Sequence, residues 1–219
     1  MIKDNEALHN ALTKMFEQGD NNTILHIIDD YNIDYKTVNE TIEYFVKEIN
    51  RIEKIKKIRI YVQTDKYDLS TSNNQLMSID NAFKKKLSCA LAIFMKTKKI
   101  YSSFKWYSAD RAYDKICKFM SGFKGKTCEF VVYENLNTRP PFHGRYWLSA
   151  NNGLIIDGSL NTVDERLVLA QEMDDVNFSI VKERLNSVLN SGDDVRFDKN
   201  KLDDLKKTYE YIRVNFSNY

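Results

Sequence analysis

The 219-residue sequence contains few residues that break or cross-link a chain, with two prolines, seven glycines and three cysteines. So little proline and glycine excludes a collagen-like chain and a low-complexity chain. The cysteines, Cys89, Cys117 and Cys128, are odd in number, widely spaced and not accompanied by histidines. This pattern argues against a disulfide framework and against a structural zinc site.

Long apolar runs are also missing, since no stretch approaches the roughly 18 consecutive apolar residues that a membrane span requires. The first six residues are polar and lack the apolar region of a secretory signal. The chain nevertheless has 42% hydrophobic and 12% aromatic residues, which is enough to build a sizeable core. We therefore expect an ordered, soluble protein in the cytoplasm, without a membrane span.

The net charge is only +2, but the charged residues are distributed unevenly along the chain. Residues 84–126 carry twelve lysines and arginines against Asp110 and Asp114, whereas residues 1–83 and 157–219 are acidic. Aromatic residues are interleaved with these cations, namely Phe94, Tyr101, Phe104, Trp106, Tyr107, Tyr113, Phe119 and Phe123. Such a segment favours binding to a phosphate backbone and to unstacked bases. Alternatively, the aromatic residues belong to the core and the lysines form the solvated faces of the same elements.

Residues 1–52 are predicted to form a helical N-terminal segment, with a domain junction near residues 51–57. Apolar residues at helical spacing predict three helices, over 8–16, 24–28 and 38–49. A short helix, a turn and a longer helix are compatible with a helix-turn-helix. The third helix contains Glu40, Glu43 and Glu48, however, which would repel DNA phosphates, so a packing or dimerisation element is favoured.

From residue 58 onward, predicted strands and helices alternate, which indicates an α/β or α+β domain over residues 53–219, with a mixed sheet flanked by helices. The strands are predicted over 58–63, 128–133, 145–149, 154–157 and 166–173. The helices are predicted over 79–95, 109–120, 175–189 and 202–214, although residues 91–95 could equally form a strand.

The segment most informative about chemistry is residues 142–161. Strand geometry puts His143 and Arg145 on the same face, and an Asn-Gly hairpin then returns the chain toward Ser159 and Asn161. An imidazole, a guanidinium, a hydroxyl and an amide near one point suit a tetrahedral phosphate, which arginine grips bidentately. The imidazole can attack phosphorus or move a proton at neutral pH. His9 and His26, by contrast, are expected in helices, in structural or surface positions.

This arrangement resembles the phospholipase D superfamily, whose motif reads His-x-Lys, four residues, Asp, six residues and Gly-Ser-x-Asn. His143-x-Arg145 stands for the first element, and Gly158-Ser159-Leu160-Asn161 matches the last with one additional residue of spacing. The chain looks like a degenerate single-motif member, since lysine is replaced by Arg145 and the motif aspartate by Ala150. Loss of that aspartate is expected to remove a group that orients the histidine, which is costly in other histidine systems.

The resemblance implies a hydrolase that breaks phosphodiester bonds through a phosphohistidine intermediate, with no metal and no other cofactor. Its catalytic residues would be His143 as nucleophile, Arg145 as phosphate clamp, and Ser159 and Asn161 as oxygen-binding neighbours. Two motifs build one site in this family, so a chain with a single motif is expected to form a two-fold homodimer. The basic segment over residues 84–126 would make nucleic acid the substrate, and the protein a nuclease.

Two other functions remain open at this point. A catalytically inactive protein of the same fold would keep the pocket to bind phosphate, and its N-terminal or C-terminal helices would bind a protein partner. A helical transcription regulator is disfavoured by the acidic third helix.

The abundance of Lys, Asn, Ile and Tyr suggests an AT-rich coding background, as in a bacterium or a phage.

Overall fold

The computed structural model of the protein describes residues 5–17, 19, 22–29, 40–64, 86, 89, 109–134, 142, 144–157, 169–190 and 195–216. The helices in these ranges are α1 (Asn5–Glu17), α2 (Glu40–Arg51), α3 (Ala109–Ser121), α4 (Asp175–Asn190) and α5 (Lys199–Phe216). The strands are β1 (Ile24–Asp29), β2 (Lys57–Thr64), β3 (Thr127–Glu134), β4 (Arg145–Leu148), β5 (Gly153–Asp157), β6 (Leu169–Glu172) and β7 (Val195–Phe197).

The seven strands form one mixed sheet in the order β6-β5-β4-β1-β2-β3-β7. Strands β1, β2 and β3 are parallel to one another, whereas every other pairing in the sheet is antiparallel. Parallel neighbours need a crossover, and α2 and α3 lie in the segments that join β1 to β2 and β2 to β3. The predicted α/β class, with a mixed sheet flanked by helices, is therefore confirmed at this level of detail.

The central position of β1 was not predicted, because residues 24–28 were expected to be helical. They instead form a strand that pairs with β2 on one side and β4 on the other. Leu25, Ile27 and Ile28 are all almost fully buried, so the run is apolar on both faces of the sheet. Periodicity cannot distinguish such a short run from a buried helix segment, which explains the error. The sheet therefore takes strands from both of the ranges that were predicted as separate domains.

Each face of the sheet carries its own apolar cluster. The larger cluster includes Ile60 and Trp147 and packs against α1, α2, α3 and α5, on what we call the four-helix face. The smaller cluster includes Ile28 and Tyr61 and packs against α4 through side chains such as Val181, on what we call the α4 face. Successive residues of each strand alternate between these two faces.

The sequence predicts that helix α2 presents its acidic residues to solvent, but at least one of them, Glu48, is buried. Glu48 is only 1% exposed and lies 2.8 Å from Arg51 Nη1 and 3.5 Å from His9 Nδ1 of α1. This contact joins α1 to α2, so the predicted packing role of His9 agrees with the structure. Glu48 consequently does not belong to a surface that would repel DNA.

Most of the remaining predicted elements agree with the structure to within about two residues. The confirmed strands and helices are β2, β3, β4, β5, α3 and α4, whereas α1 is confirmed with a start three residues before the predicted one. The strand predicted over 166–173 is observed as β6, and residues 166–168 lie outside the described ranges. Helix α5 begins three residues before its predicted start, because Asp198 Oδ1 accepts a hydrogen bond from the Lys201 backbone N–H (3.0 Å) and caps it. The helix predicted over 79–95 lies almost wholly outside the described ranges.

Candidate functional site

The candidate site lies at the edge of the sheet where the three parallel strands end. Arg145, the first residue of β4, pairs with Asp29 at the end of β1 and with Ile156 near the end of β5. The carboxyl ends of parallel strands are the usual ligand-binding edge of α/β sheets. The hairpin of β4 and β5 therefore begins and ends at the edge where chemistry is expected.

Of the four predicted site residues, the structure describes Arg145 alone. Its side chain is partly exposed, and strand alternation puts it on the four-helix face with Trp147. His143, Ser159 and Asn161 lie outside the described residues. In the sequence, His143 lies between the described residues Phe142 and Gly144. Ser159 and Asn161 follow the described Asp157 by two and by four residues.

The residues on either side of His143 are held by aromatic side chains on the α4 face. Phe142 is 1% exposed and meets Tyr133 edge to face, with ring centroids 6.3 Å apart. Tyr146 packs against Phe142 with its centroid at 6.4 Å. Its phenol oxygen also covers Gly144 so closely that a Cβ there would lie 2.7 Å from it. A side chain at position 144 would force the outer end of the Tyr146 ring to move.

The position of the missing motif aspartate lies far from Arg145. Arg145 is the first residue of β4 and Ala150 lies two residues beyond Leu148, the last, so the strand alone separates them by about 10 Å at a rise of ~3.3 Å per residue. A carboxylate at position 150 would therefore lie in the turn at the other end of β4 from Arg145. The expected role of such a carboxylate in orienting His143 stays a prediction, because His143 is outside the described residues.

The turn that contains Ala150 is held instead by two buried polar side chains. Asn22, 2% exposed, accepts a hydrogen bond from the Ala150 backbone N–H (2.9 Å) and donates one to the Met15 carbonyl (2.8 Å). Ser149, 3% exposed, accepts hydrogen bonds at its Oγ from the backbone N–H groups of Asn151 (3.3 Å) and Asn152 (3.1 Å). These contacts fix the hairpin to the end of α1 without a carboxylate.

The basic segment over residues 84–126 is only partly described, and its described aromatic residues belong to the core. Phe119 and Phe123 are buried and meet edge to face at 5.1 Å. Tyr113 packs against the same cluster and lies under Lys206 Nζ at 4.8 Å. For these three side chains, the alternative interpretation as core residues is correct. The other five aromatic residues of the segment lie outside the described ranges.

One lysine of the segment has a structural role. Lys126 Nζ donates hydrogen bonds to the carbonyls of Ile52 (2.8 Å) and Ile55 (2.9 Å), and so fixes the connection between α2 and β2. Burial, together with the nearby charge of Lys56, lowers its pKa. Lys86, Lys118 and Lys124 are exposed, and they are the described lysines of the segment that could meet a phosphate backbone.

The described residues lack two features that would bear on function. Among them, no group of three or more His, Cys, Asp or Glu side chains is arranged to hold a metal ion. No helix in the described part of the chain combines the length and apolarity needed to cross a membrane.

Comparisons with protein-family models, curated protein sequences and solved structures find no match to this chain. Support for a function therefore comes from its own residues and topology.

His26 is a residue whose position the sequence does not predict correctly. It is expected in a helix, but it lies in strand β1 and forms a hydrogen bond with Tyr61 of the neighbouring strand β2. The signal for it in the sequence is the polar residue within the apolar run of Ile24–Asp29.

Proposed function

We propose that the protein is a phospholipase D-like phosphodiesterase that cleaves nucleic acid at a histidine-centred site without a metal ion. The observation that carries the proposal is the pairing of Arg145 with Asp29 on one side and Ile156 on the other, at the carboxyl ends of the parallel strands. His143 lies two residues before Arg145 in the sequence and Ser159 three residues after Ile156, and the resemblance to the family implies that both belong to this site.

In the proposed reaction, an imidazole nitrogen of His143 attacks phosphorus and forms a P–N bond, while the bond to the leaving oxygen breaks. A second, protonated histidine donates its proton to the leaving oxygen. Water then attacks phosphorus, breaks the P–N bond and gives a proton to that second imidazole. The products are an alcohol and a phosphomonoester, and both histidines return to their starting states.

Arg145 would bind the non-bridging oxygens of the phosphodiester during both steps. Guanidinium is charged at every relevant pH and matches two oxygens with two parallel N–H donors. It can therefore do the electrostatic work that lysine does in the family motif. Ser159 and Asn161 would supply neutral donors to the same oxygens.

The second histidine would come from a second copy of the chain, because this sequence has one motif and the family site needs two. A two-fold axis beside the Arg145 edge would bring two copies of His143 together in a homodimer. Nucleic acid is the substrate favoured by charge, since the basic segment includes exposed Lys86, Lys118 and Lys124.

A second candidate function is that of an inactive protein of the same fold, which binds phosphate or a protein partner. The observation that favours it is Ala150, which stands where the family motif has aspartate. Such a protein would keep the phosphate clamp and lose the chemistry.

The test is hydrolysis in EDTA of single-stranded DNA, double-stranded DNA, RNA and bis-p-nitrophenyl phosphate. We expect cleavage by the wild type and a loss of about 10³-fold or more in His143→Ala. Arg145→Ala should lose about 10²-fold, whereas Arg145→Lys, which restores the family residue, should stay within about tenfold of the wild type. Circular dichroism of each variant checks that it remains folded.

The outcomes separate the two candidates. Cleavage that persists in EDTA and disappears in His143→Ala supports the phosphohistidine enzyme. A folded wild-type protein that cleaves none of the four substrates contradicts it and supports the inactive protein. Cleavage that His143→Ala retains contradicts the assignment of the nucleophile.

A further inference from the structure

A row of ionisable side chains crosses the α4 face of the sheet, at the amino-terminal half of the parallel strands. His26 of β1 pairs in register with Arg59 of β2, which pairs in register with Glu129 of β3. All three side chains are partly exposed, with Arg59 at 15% and Glu129 at 12%. Central strands of a sheet normally carry apolar residues at such positions. The polar row therefore interrupts the apolar surface of this face.

Hydrogen bonds hold the two ends of this row. Lys57 Nζ and Arg59 Nε donate to the two oxygens of Glu129, at 2.8 Å and 2.6 Å. The Tyr61 hydroxyl lies 2.8 Å from His26 Nδ1, and Tyr61 follows Arg59 by two residues on the same face of β2. These contacts limit the orientations of Arg59 and of His26.

The Tyr61 hydroxyl either donates to His26 Nδ1 or accepts from it, so this contact is compatible with both neutral tautomers of the imidazole. In the tautomer that accepts at Nδ1, the proton is on Nε2, and the partly exposed ring then has Nε2–H as its remaining donor.

The charges around His26 and Tyr61 are mainly positive. Burial and the charge of Arg59 lower the pKa of His26 to about 4, opposed by Glu129 and assisted by Lys182 of α4. Burial raises the pKa of Tyr61, although Arg59 and Arg196 of β7 act in the other direction. Both groups are therefore neutral at pH 7. With Lys57 included, the row and its neighbours comprise four cations against one carboxylate, Glu129.

We propose that His26, Arg59 and Lys182 form a binding site for a phosphate group. Lys182 Nζ donates a hydrogen bond to the carbonyl of Ala150, which follows by two residues Leu148, the register partner of His26, so its ammonium lies close to the row. The site offers an imidazole N–H, further guanidinium N–H groups and the remaining N–H groups of this ammonium, and a phosphate supplies several acceptor oxygens. The carboxylate of the row does not oppose an anion strongly, because Glu129 is bound by two cations. The phosphate belongs either to a nucleic acid backbone or to a free phosphate compound.

This site is separate from the Arg145 edge. His26 lies three residues before Asp29 on β1, which corresponds to about 10 Å along the strand. Its side chain is on the α4 face, whereas that of Arg145 is on the four-helix face. The inference therefore does not depend on hydrolysis at His143, and it can be tested in a variant that lacks that histidine.

The experiment uses the full chain with His143→Ala, in which His9 and His26 are the only histidines. The imidazole proton signals are followed by NMR at pH 7 during titration with inorganic phosphate, and His26→Gln assigns the signals. We expect a saturable shift of the His26 signal that sodium chloride at equal ionic strength does not produce. Lys182→Gln should weaken this binding about tenfold, because it removes one charged donor. Lys207→Gln, at a position 78% exposed on α5, is the matched control and should bind as before.

A second titration with a single-stranded thymidine oligonucleotide distinguishes the two sources of phosphate. A His26 shift with inorganic phosphate supports a site for a free phosphate compound, and a shift with the oligonucleotide alone supports a backbone site. The proposal is overturned if neither ligand shifts His26, if chloride shifts it equally, or if Lys182→Gln binds like the control.

Discussion

His26 is expected to make the free energy of unfolding depend on pH. Burial and the charge of Arg59 lower its pKa from the ordinary value of 6.5 to about 4. In the unfolded chain the same imidazole takes up a proton near pH 6.5. Between these two values the unfolded state binds more protons than the folded state, so the free energy of unfolding rises with pH.

We therefore expect the free energy of unfolding to fall as the pH is lowered from about 6.5 to about 4. Each tenfold change in proton affinity corresponds to about 1.4 kcal/mol, so His26 contributes up to about 3 kcal/mol to this fall. Urea unfolding at pH 7 and at pH 4.5 measures it in the wild type and in His26→Gln, which cannot take up the proton.

The comparison between these two proteins isolates His26 from the carboxyl groups that titrate at similar pH. Glu129 is one of them, because burial raises its pKa but hydrogen bonds from Lys57 and Arg59 outweigh this and lower it. Its contribution is present in both proteins and cancels in the difference to first order. An equal loss of stability in the wild type and in His26→Gln would contradict the assignment.

At the scale of elements, the hairpin of β4 and β5 depends on a short polar network. Asn22 makes two hydrogen bonds while almost fully buried, and it connects the turn at Ala150 to the end of α1 at Met15. The turn lies at the opposite end of β4 from Arg145. The network therefore serves stability and not the chemistry of the candidate site.

Replacement of Asn22 by alanine is expected to lower the free energy of unfolding by about 2 kcal/mol. The substitution leaves the Ala150 N–H and the Met15 carbonyl without this partner in a buried environment. Urea unfolding measures the loss. Asn10→Ala, at an exposed position on α1, is the matched control and should change stability by less than about 0.5 kcal/mol. Equal stability of the two variants would show that water replaces the lost contacts.

The sequence predicts most of the elements because their patterns are local. In β2, apolar Ile58, Ile60 and Val62 alternate with polar or aromatic residues, which is a strand signal that needs no knowledge of its neighbours. In β1, Leu25, Ile27 and Ile28 are buried on both faces of the sheet, so the alternation of apolar with polar residues that marks a half-buried strand is absent. His26 was consequently assigned to a helix, and its contact with Tyr61 could not be foreseen.

The candidate site was predictable only in part, because its geometry depends on pairing between distant strands. The pattern His143-x-Arg145 followed by Gly158-Ser159-Leu160-Asn161 is visible in the sequence. The pairing of Arg145 with Asp29 joins residues more than a hundred positions apart, and no local pattern specifies it. The same holds for the row of His26, Arg59 and Glu129, which three separate segments assemble.

At the scale of the whole molecule, the two proposed sites differ in character and involve opposite faces of the sheet. The Arg145 edge has a proposed reaction that needs two histidines, and the chain provides one motif. The row at His26 has a proposed ligand and needs no second copy. The oligomeric state should therefore affect hydrolysis and leave phosphate binding at His26 unchanged.

Mixing subunits tests whether two copies of His143 form one active site. Wild type and His143→Ala are mixed in different ratios at constant total protein, after reversible unfolding that lets subunits exchange. If a two-fold dimer has one site built from both histidines, activity should follow the square of the wild-type fraction. A mixture with equal amounts would then keep about a quarter of the activity, against about half for independent sites. Sedimentation of the same samples verifies the dimer, and a linear decrease of activity would contradict the shared site.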